Sequence, residues 1–183
     1  MTRLVGLLLT CIVLITSSTP ASEAPDFSAI DRSGREISLS QFLAENNLVL
    51  VYYWMAGCTP STKLLPFVQA FQDTYADEGL SCVVVYSWFR CTAELGEQYL
   101  ERHEYTIPVI EDRSGRLQEL FSVRAFPHTV ILDSEGRILL DECGYSCGDE
   151  IAIQELLHSE LTGNPLPADR IISLSEMSES GSE

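Results

Sequence analysis

Cys58 is the residue in this chain whose surroundings best suit chemistry. It follows the apolar run Leu48–Trp54 and a short loop, Met55-Ala56-Gly57, and it opens the segment Cys58-Thr59-Pro60-Ser61. Leu64, Val68, Phe71 and Tyr75 then recur at helical spacing, and Pro60 stands where a first helical turn tolerates proline. A cysteine at a helix N-terminus faces unpaired amides and the positive end of the helix dipole, and both favour the nucleophilic thiolate. Such a thiolate attacks disulfides or peroxides. Ser61 offers a hydroxyl that can hydrogen-bond the thiolate but no sulfur that could attack a disulfide. The alternative is a buried structural thiol, because free cysteine behaves as a small hydrophobe.

The elements that must hold this residue are legible on both sides of it. Leu48–Trp54 is rich in β-branched and aromatic residues without clean alternation, the pattern of a strand buried on both faces of a parallel sheet. Downstream, the pattern predicts a strand over 81–87, a helix over 92–104, an extended piece at 107–110 and a short helix around 117–121. A hairpin of 129–133 with 137–141 and a last helix over 149–161 complete it. Upstream, 24–30 and 36–40 flank Asp31-Arg32-Ser33-Gly34-Arg35, which is turn chemistry, so a hairpin leads the domain. The D-x-x-G-R pattern recurs at 112–116 and 133–137 as shared turn grammar, since the flanking segments differ in length and period. Alternating α and β with a closing hairpin predicts an α/β domain with a mixed central sheet and helices on both faces.

Trp54-Met55-Ala56-Gly57-Cys58-Thr59-Pro60-Ser61, with Pro66 beyond it, resembles the W-x-x-x-C-x-P-C-x-x-x-x-P signature of the thioredoxin-like superfamily, in particular its TlpA/ResA type. The opening APDF…D-x-x-G-x-x-x-S-L from Ala24 is similar to that of TlpA-type and AhpC/TSA-type redoxins, so the resemblance spans roughly Ala24 to Leu161. One position departs: Ser61 stands where the family has its second, resolving cysteine. The resemblance implies a thioredoxin-like three-layer α/β/α sandwich with an added N-terminal β-hairpin. It further implies a thiol–disulfide oxidoreductase with Cys58 as nucleophile and Ser61 beside its thiolate. Phe126-Pro127-His128-Thr129 resembles the family's x-P-T-T segment, whose proline is cis and whose preceding backbone pairs with an incoming peptide. Trp54, Phe126, Pro127 and His128 are accordingly the substrate-binding candidates. His128 replaces a threonine; it is read as solvent-exposed, with an imidazole beside Cys58 as the alternative. His103 and His158 lie in helical patterns and are read as surface residues. Tyr52 occupies the point where thioredoxins proper place a buried carboxylate, so proton transfer must come from solvent, His128 or another acid.

Of the six cysteines, Cys11 falls in the N-terminal apolar run, which leaves an odd number in the domain. Cys82 is read as inert in a buried strand. Cys91 follows the other end of that strand, on the side where Cys58 emerges, since parallel strands put their C-terminal ends together; Cys143 and Cys147 follow the last strand of the hairpin, which the resemblance implies also ends near Cys58. A local Cys143–Cys147 disulfide is favoured over a second redox pair exchanging with Cys58, and Cys91 is the next candidate to resolve Cys58. Neither paired C-x-x-C nor H-x-x-x-H spacing is present, and no metal or cofactor is expected.

Arg3, the apolar core Leu4–Ile15 and small residues to Ala24 outline a signal peptide over 1–21, with cleavage at 24 as the second option. The expected organisation is that leader, a thioredoxin-like domain over 24–162 and an acidic, Ser/Glu-rich disordered tail over 163–183. The protein is therefore expected to be exported, periplasmic or extracellular, or membrane-anchored if the leader is retained. A formal net charge of −16 excludes nucleic-acid binding, because phosphates would be repelled. The partners expected are exported protein or small-molecule disulfides and thiols, with a membrane-bound electron donor as a further candidate. Two other functions compete. A thiol peroxidase of the AhpC/TSA type would carry T-x-x-C, but Met55 stands at that threonine. A non-enzymatic thioredoxin-like binding module would account for the loss of the second cysteine.

Overall fold

The turn Asp31–Arg35 closes an antiparallel hairpin of β1 (Ser28–Ile30) and β2 (Glu36–Ser38) in the computed structural model, which describes residues 23–87 and 93–173. The proposed leader, Cys91 and the last ten residues of the chain lie outside the described residues. Helix α1 (Leu39–Glu45) follows directly and was not anticipated. Its signal is a capping pattern, Ser38-Leu39-Ser40-Gln41, in which the Ser38 hydroxyl accepts the Gln41 N–H at 3.2 Å.

β3 (Leu48–Trp54) is buried along its whole length at the centre of a five-stranded sheet. Helix α2 (Thr59–Tyr75) crosses to β4 (Leu80–Ser87), and α3 (Ala93–His103) crosses to β5 (Val109–Asp112), so β3, β4 and β5 run parallel. After α4 (Arg116–Leu120), β6 (His128–Asp133) pairs antiparallel with β3, and β7 (Ile138–Cys143) pairs antiparallel with β6. The sheet order is β5-β4-β3-β6-β7, and helix α5 (Asp149–Thr162) closes the domain. Successive side chains of β3 divide between two cores. Leu48, Leu50, Tyr52 and Trp54 pack with α2, α3 and α5; Val49, Val51 and Tyr53 pack with the hairpin, α1 and α4. The expected mixed sheet, its two helical layers and the leading hairpin are all present.

Three expectations need correction. The extended piece at 107–110 becomes a strand two residues later, because Ile107 packs in the core and the Pro108 carbonyl accepts the Val84 N–H before ladder pairing begins. His158 is not a surface residue: it is buried against Tyr75, with ring centroids 6.0 Å apart. The chain is also ordered past residue 163. Gln154 donates to the Arg170 carbonyl at 2.8 Å and accepts from the Ile172 N–H at 2.9 Å, which fastens 163–173 onto α5.

Two of the D-x-x-G-R turns share one construction. Asp31 Oδ1 accepts the N–H groups of Ser33 and Arg35, Asp133 Oδ1 accepts those of Glu135 and Arg137, and each Oδ2 takes the guanidinium four residues on. Burial pushes both carboxyls up, but the hydrogen bonds and the arginine charge outweigh it and hold both below the ordinary 3.8. Groups with depressed folded values add stability that is complete above the unfolded value and is lost as pH falls through the folded one. The urea midpoint should therefore hold level down to about pH 5 and drop by about pH 3, with a smaller drop in the Asp31→Asn and Asp133→Asn double variant.

Candidate functional site

Cys58 occupies the N-cap of α2, with extended backbone angles and with Gly57 before it at φ 80°. A positive φ at that point suits glycine, and it turns the chain from the end of β3 into the helix. The Cys58 carbonyl accepts the Thr62 N–H at 3.0 Å, the first bond of the helix, so the side chain leaves the helix end half-buried at the rim of the sheet. Its thiol donates to the Phe126 carbonyl at 3.5 Å. Antiparallel pairing of β6 with β3 causes that contact, because Tyr53 opposite His128 carries the residues just before β6 to the end of β3. The Phe126–Pro127 peptide is cis, and the Pro127 carbonyl accepts the Gly144 N–H at 2.7 Å. The structure thus brings Cys58, Phe126 and Pro127 together.

The other candidates are placed differently from their sequence reading. Ser61 is fully buried and its hydroxyl has no hydrogen-bond partner, so it does not bond the Cys58 sulfur. The position is held by backbone instead: the buried Tyr52 hydroxyl donates to the Ser61 carbonyl at 2.7 Å. A buried hydroxyl without a partner costs stability. Ser61→Ala should raise folding stability by about 1 kcal/mol, read by denaturant unfolding, and leave the reaction of Cys58 with a disulfide unchanged.

Trp54 is fully buried. Its ring packs on Tyr86 and Tyr99 at 4.9 and 5.3 Å between centroids. It underlies a mainly apolar cavity of about 280 Å³ beside the Cys58 loop, walled by Gly57, Thr59, Leu95 and Tyr99. His128 is buried, not exposed. Its Nε2 lies 2.7 Å from Asp141 Oδ1, its Nδ1 has no partner, and its ring meets Tyr53 edge-on. Tyr53 belongs to the α1/α4 core, so the imidazole packs on that face of the sheet and not against α2.

Cys143 and Cys147 are exposed free thiols, so the favoured disulfide between them is not formed. Cys82 is fully buried in β4, and burial raises its thiol well above the ordinary range, which agrees with an inert residue. Leu95, Tyr99 and Tyr145 were missed as site neighbours. Right-handed crossovers place α3 on the same face as α2, which is the signal that could have found Tyr99.

A model of the AhpC/TSA family matches residues 20–140. Thiol-disulfide oxidoreductase ResA of Geobacillus thermodenitrificans is 25% identical over 129 residues, which span 67% of this chain and 68% of that protein. ResA of Bacillus thuringiensis is 21% identical over 129 residues, spanning 70% and 72%. Among solved structures, a putative thiol:disulfide interchange protein DsbE from Chlorobium tepidum superposes with a TM-score of 0.70. It is 23% identical and is covered to 99%, against 79% of this chain. The thioredoxin domain of a thiol-disulfide oxidoreductase from Bacteroides vulgatus gives 0.61 at 25% identity, over 77% of this chain and 99% of that one. The fold is thioredoxin-like, with the β1–β2 hairpin added.

Proposed function

The chain belongs to the AhpC/TSA family, and from that membership and the surroundings of Cys58 we propose that it is an exported thiol–disulfide oxidoreductase of the ResA/DsbE kind. The observation that carries the reading is the half-buried Cys58 thiol at the start of α2, 3.5 Å from the carbonyl that precedes a cis-proline. Cys58 attacks one sulfur of a substrate disulfide; the S–S bond breaks, the other sulfur leaves as a thiolate, and a mixed disulfide remains on Cys58. The Phe126–Pro127 backbone docks the substrate chain beside that sulfur, and the cavity above Trp54 accepts an apolar group next to the cystine. Ser61 carries no thiol to complete the exchange, so the second attack comes from elsewhere. Export rests on the leader-like residues 1–21, and the substrates are exported disulfides. The test is exchange between the purified reduced chain and oxidised glutathione; exchange at an unchanged rate in Cys58→Ala overturns the reading.

A further inference from the structure

With serine at position 61 the exchange is only half equipped, and a different thiol stands beside the first turn of α2. The loop that leaves β7 is tied down at its start, where the Gly144 N–H bonds the Pro127 carbonyl. That anchor is one residue from the Phe126 carbonyl that meets the Cys58 sulfur. Further along, Cys147 shares a depression of about 340 Å³ with Thr59, Pro60 and Lys63, the residues that follow Cys58 in the chain. The loop therefore runs from the cis-proline side of Cys58 to its helix side.

Tyr145, midway, packs on the α2/α5 core and donates to Glu150 at 2.8 Å, while Cys147 stays exposed. Gly144 and Gly148 bracket the loop with φ of 99° and 106°, conformations that glycine adopts without strain. Cys143 is oriented otherwise. It pairs directly with His128, and cross-strand partners share a face, so it projects to the α1/α4 side.

From this juxtaposition we propose that Cys147 is the resolving cysteine, supplying from the β7–α5 loop the thiol that position 61 lacks. The role rests on the exchange reading of Cys58. Once the mixed disulfide has formed, the Cys147 thiolate attacks the Cys58 sulfur. The Cys58–substrate bond breaks, a Cys58–Cys147 bond forms, and the second substrate sulfur leaves as a thiolate that takes a proton from water. The substrate gains two electrons and two protons, and the two protein thiols become one disulfide.

The experiment mixes the reduced full chain with one equivalent of oxidised glutathione, quenches with acid over a time course and maps the peptides by mass spectrometry. The expected result is a transient Cys58–glutathione adduct that gives way to a Cys58–Cys147 cross-link. In Cys147→Ser the adduct should decay at least about tenfold more slowly, whereas Cys143→Ser should match the parent. Decay at the parent rate in Cys147→Ser, or a cross-link from Cys58 to Cys91 or Cys143 instead, overturns the assignment. Absence of any adduct on Cys58 in every variant, Cys147→Ser included, overturns the exchange reading itself and the resolving role with it.

Discussion

Cys58→Ala should lower the rate of thiol–disulfide exchange by at least about a hundredfold, because removing a nucleophile takes away the bond-forming step and not merely a contact. A remainder is expected for a definite reason: Cys143 and Cys147 are exposed free thiols within reach of a dissolved disulfide. With Cys91, Cys143 and Cys147 changed to Ser alongside Cys58→Ala, in the chain freed of residues 1–21 and so of Cys11, the rate should fall to the uncatalysed one, since Cys82 is sealed within β4. Stopped-flow release of the leaving thiol measures both steps. Folding should be nearly unaffected. Cys58 is half-exposed, its side chain makes no capping bond to α2, and its one hydrogen bond is the long contact to the Phe126 carbonyl, so a smaller side chain there leaves no deep cavity. A large loss of rate together with an unchanged unfolding midpoint separates a chemical role from a structural one. Equal rates in Cys58→Ala and the parent would leave a thioredoxin-like binding module as the better account.

What the sequence made legible was whatever depends on local pattern. The fully buried strand at Leu48–Trp54, the helix starting after Cys58 and the strand–turn–strand around Gly136 all stand where period and turn chemistry put them. What it hid depends on which way a side chain turns once the sheet is assembled. His128 looked like a polar residue at a strand end, but pairing of β7 with β6 sets Asp141 beside it and buries the ring. Ser61 looked like a partner for the thiolate. One turn into α2, however, the helix faces the Tyr52 side of the sheet, and its hydroxyl is enclosed there. Cys143 and Cys147 are four residues apart, which allowed a bridge on paper; in the fold they bracket a loop that spreads around the rim of the site. Helix α1 was missed because the hairpin pattern was read through Ser38, whose side chain ends the strand by capping the helix.

Trp54 marks the sharpest divergence between a role carried by resemblance and one carried by packing, and its substitutions should separate the two. The indole is fully enclosed, with Tyr86 and Tyr99 against its ring, and its Nε1–H has no hydrogen-bond partner. Trp54→Ala removes the centre of this aromatic cluster and should cost about 3–5 kcal/mol, as large-to-small changes of buried aromatics do. Set against a total stability of about 5–15 kcal/mol, that loss brings a domain of this size close to its unfolding threshold. Trp54→Phe keeps an aromatic ring on the same neighbours and removes the buried orphan donor, so its cost should be no more than about 2 kcal/mol. Denaturant unfolding of the three proteins should rank parent, Phe and Ala in that order, with the Ala step much the larger. Exchange measured where each variant is still folded should change little in Trp54→Phe, because the ring lies beneath the cavity and the attacking sulfur emerges from the neighbouring loop. A Trp54→Phe variant of parental stability that has lost exchange would mean instead that the indole contacts the substrate, and the floor of the cavity would have to open during the reaction.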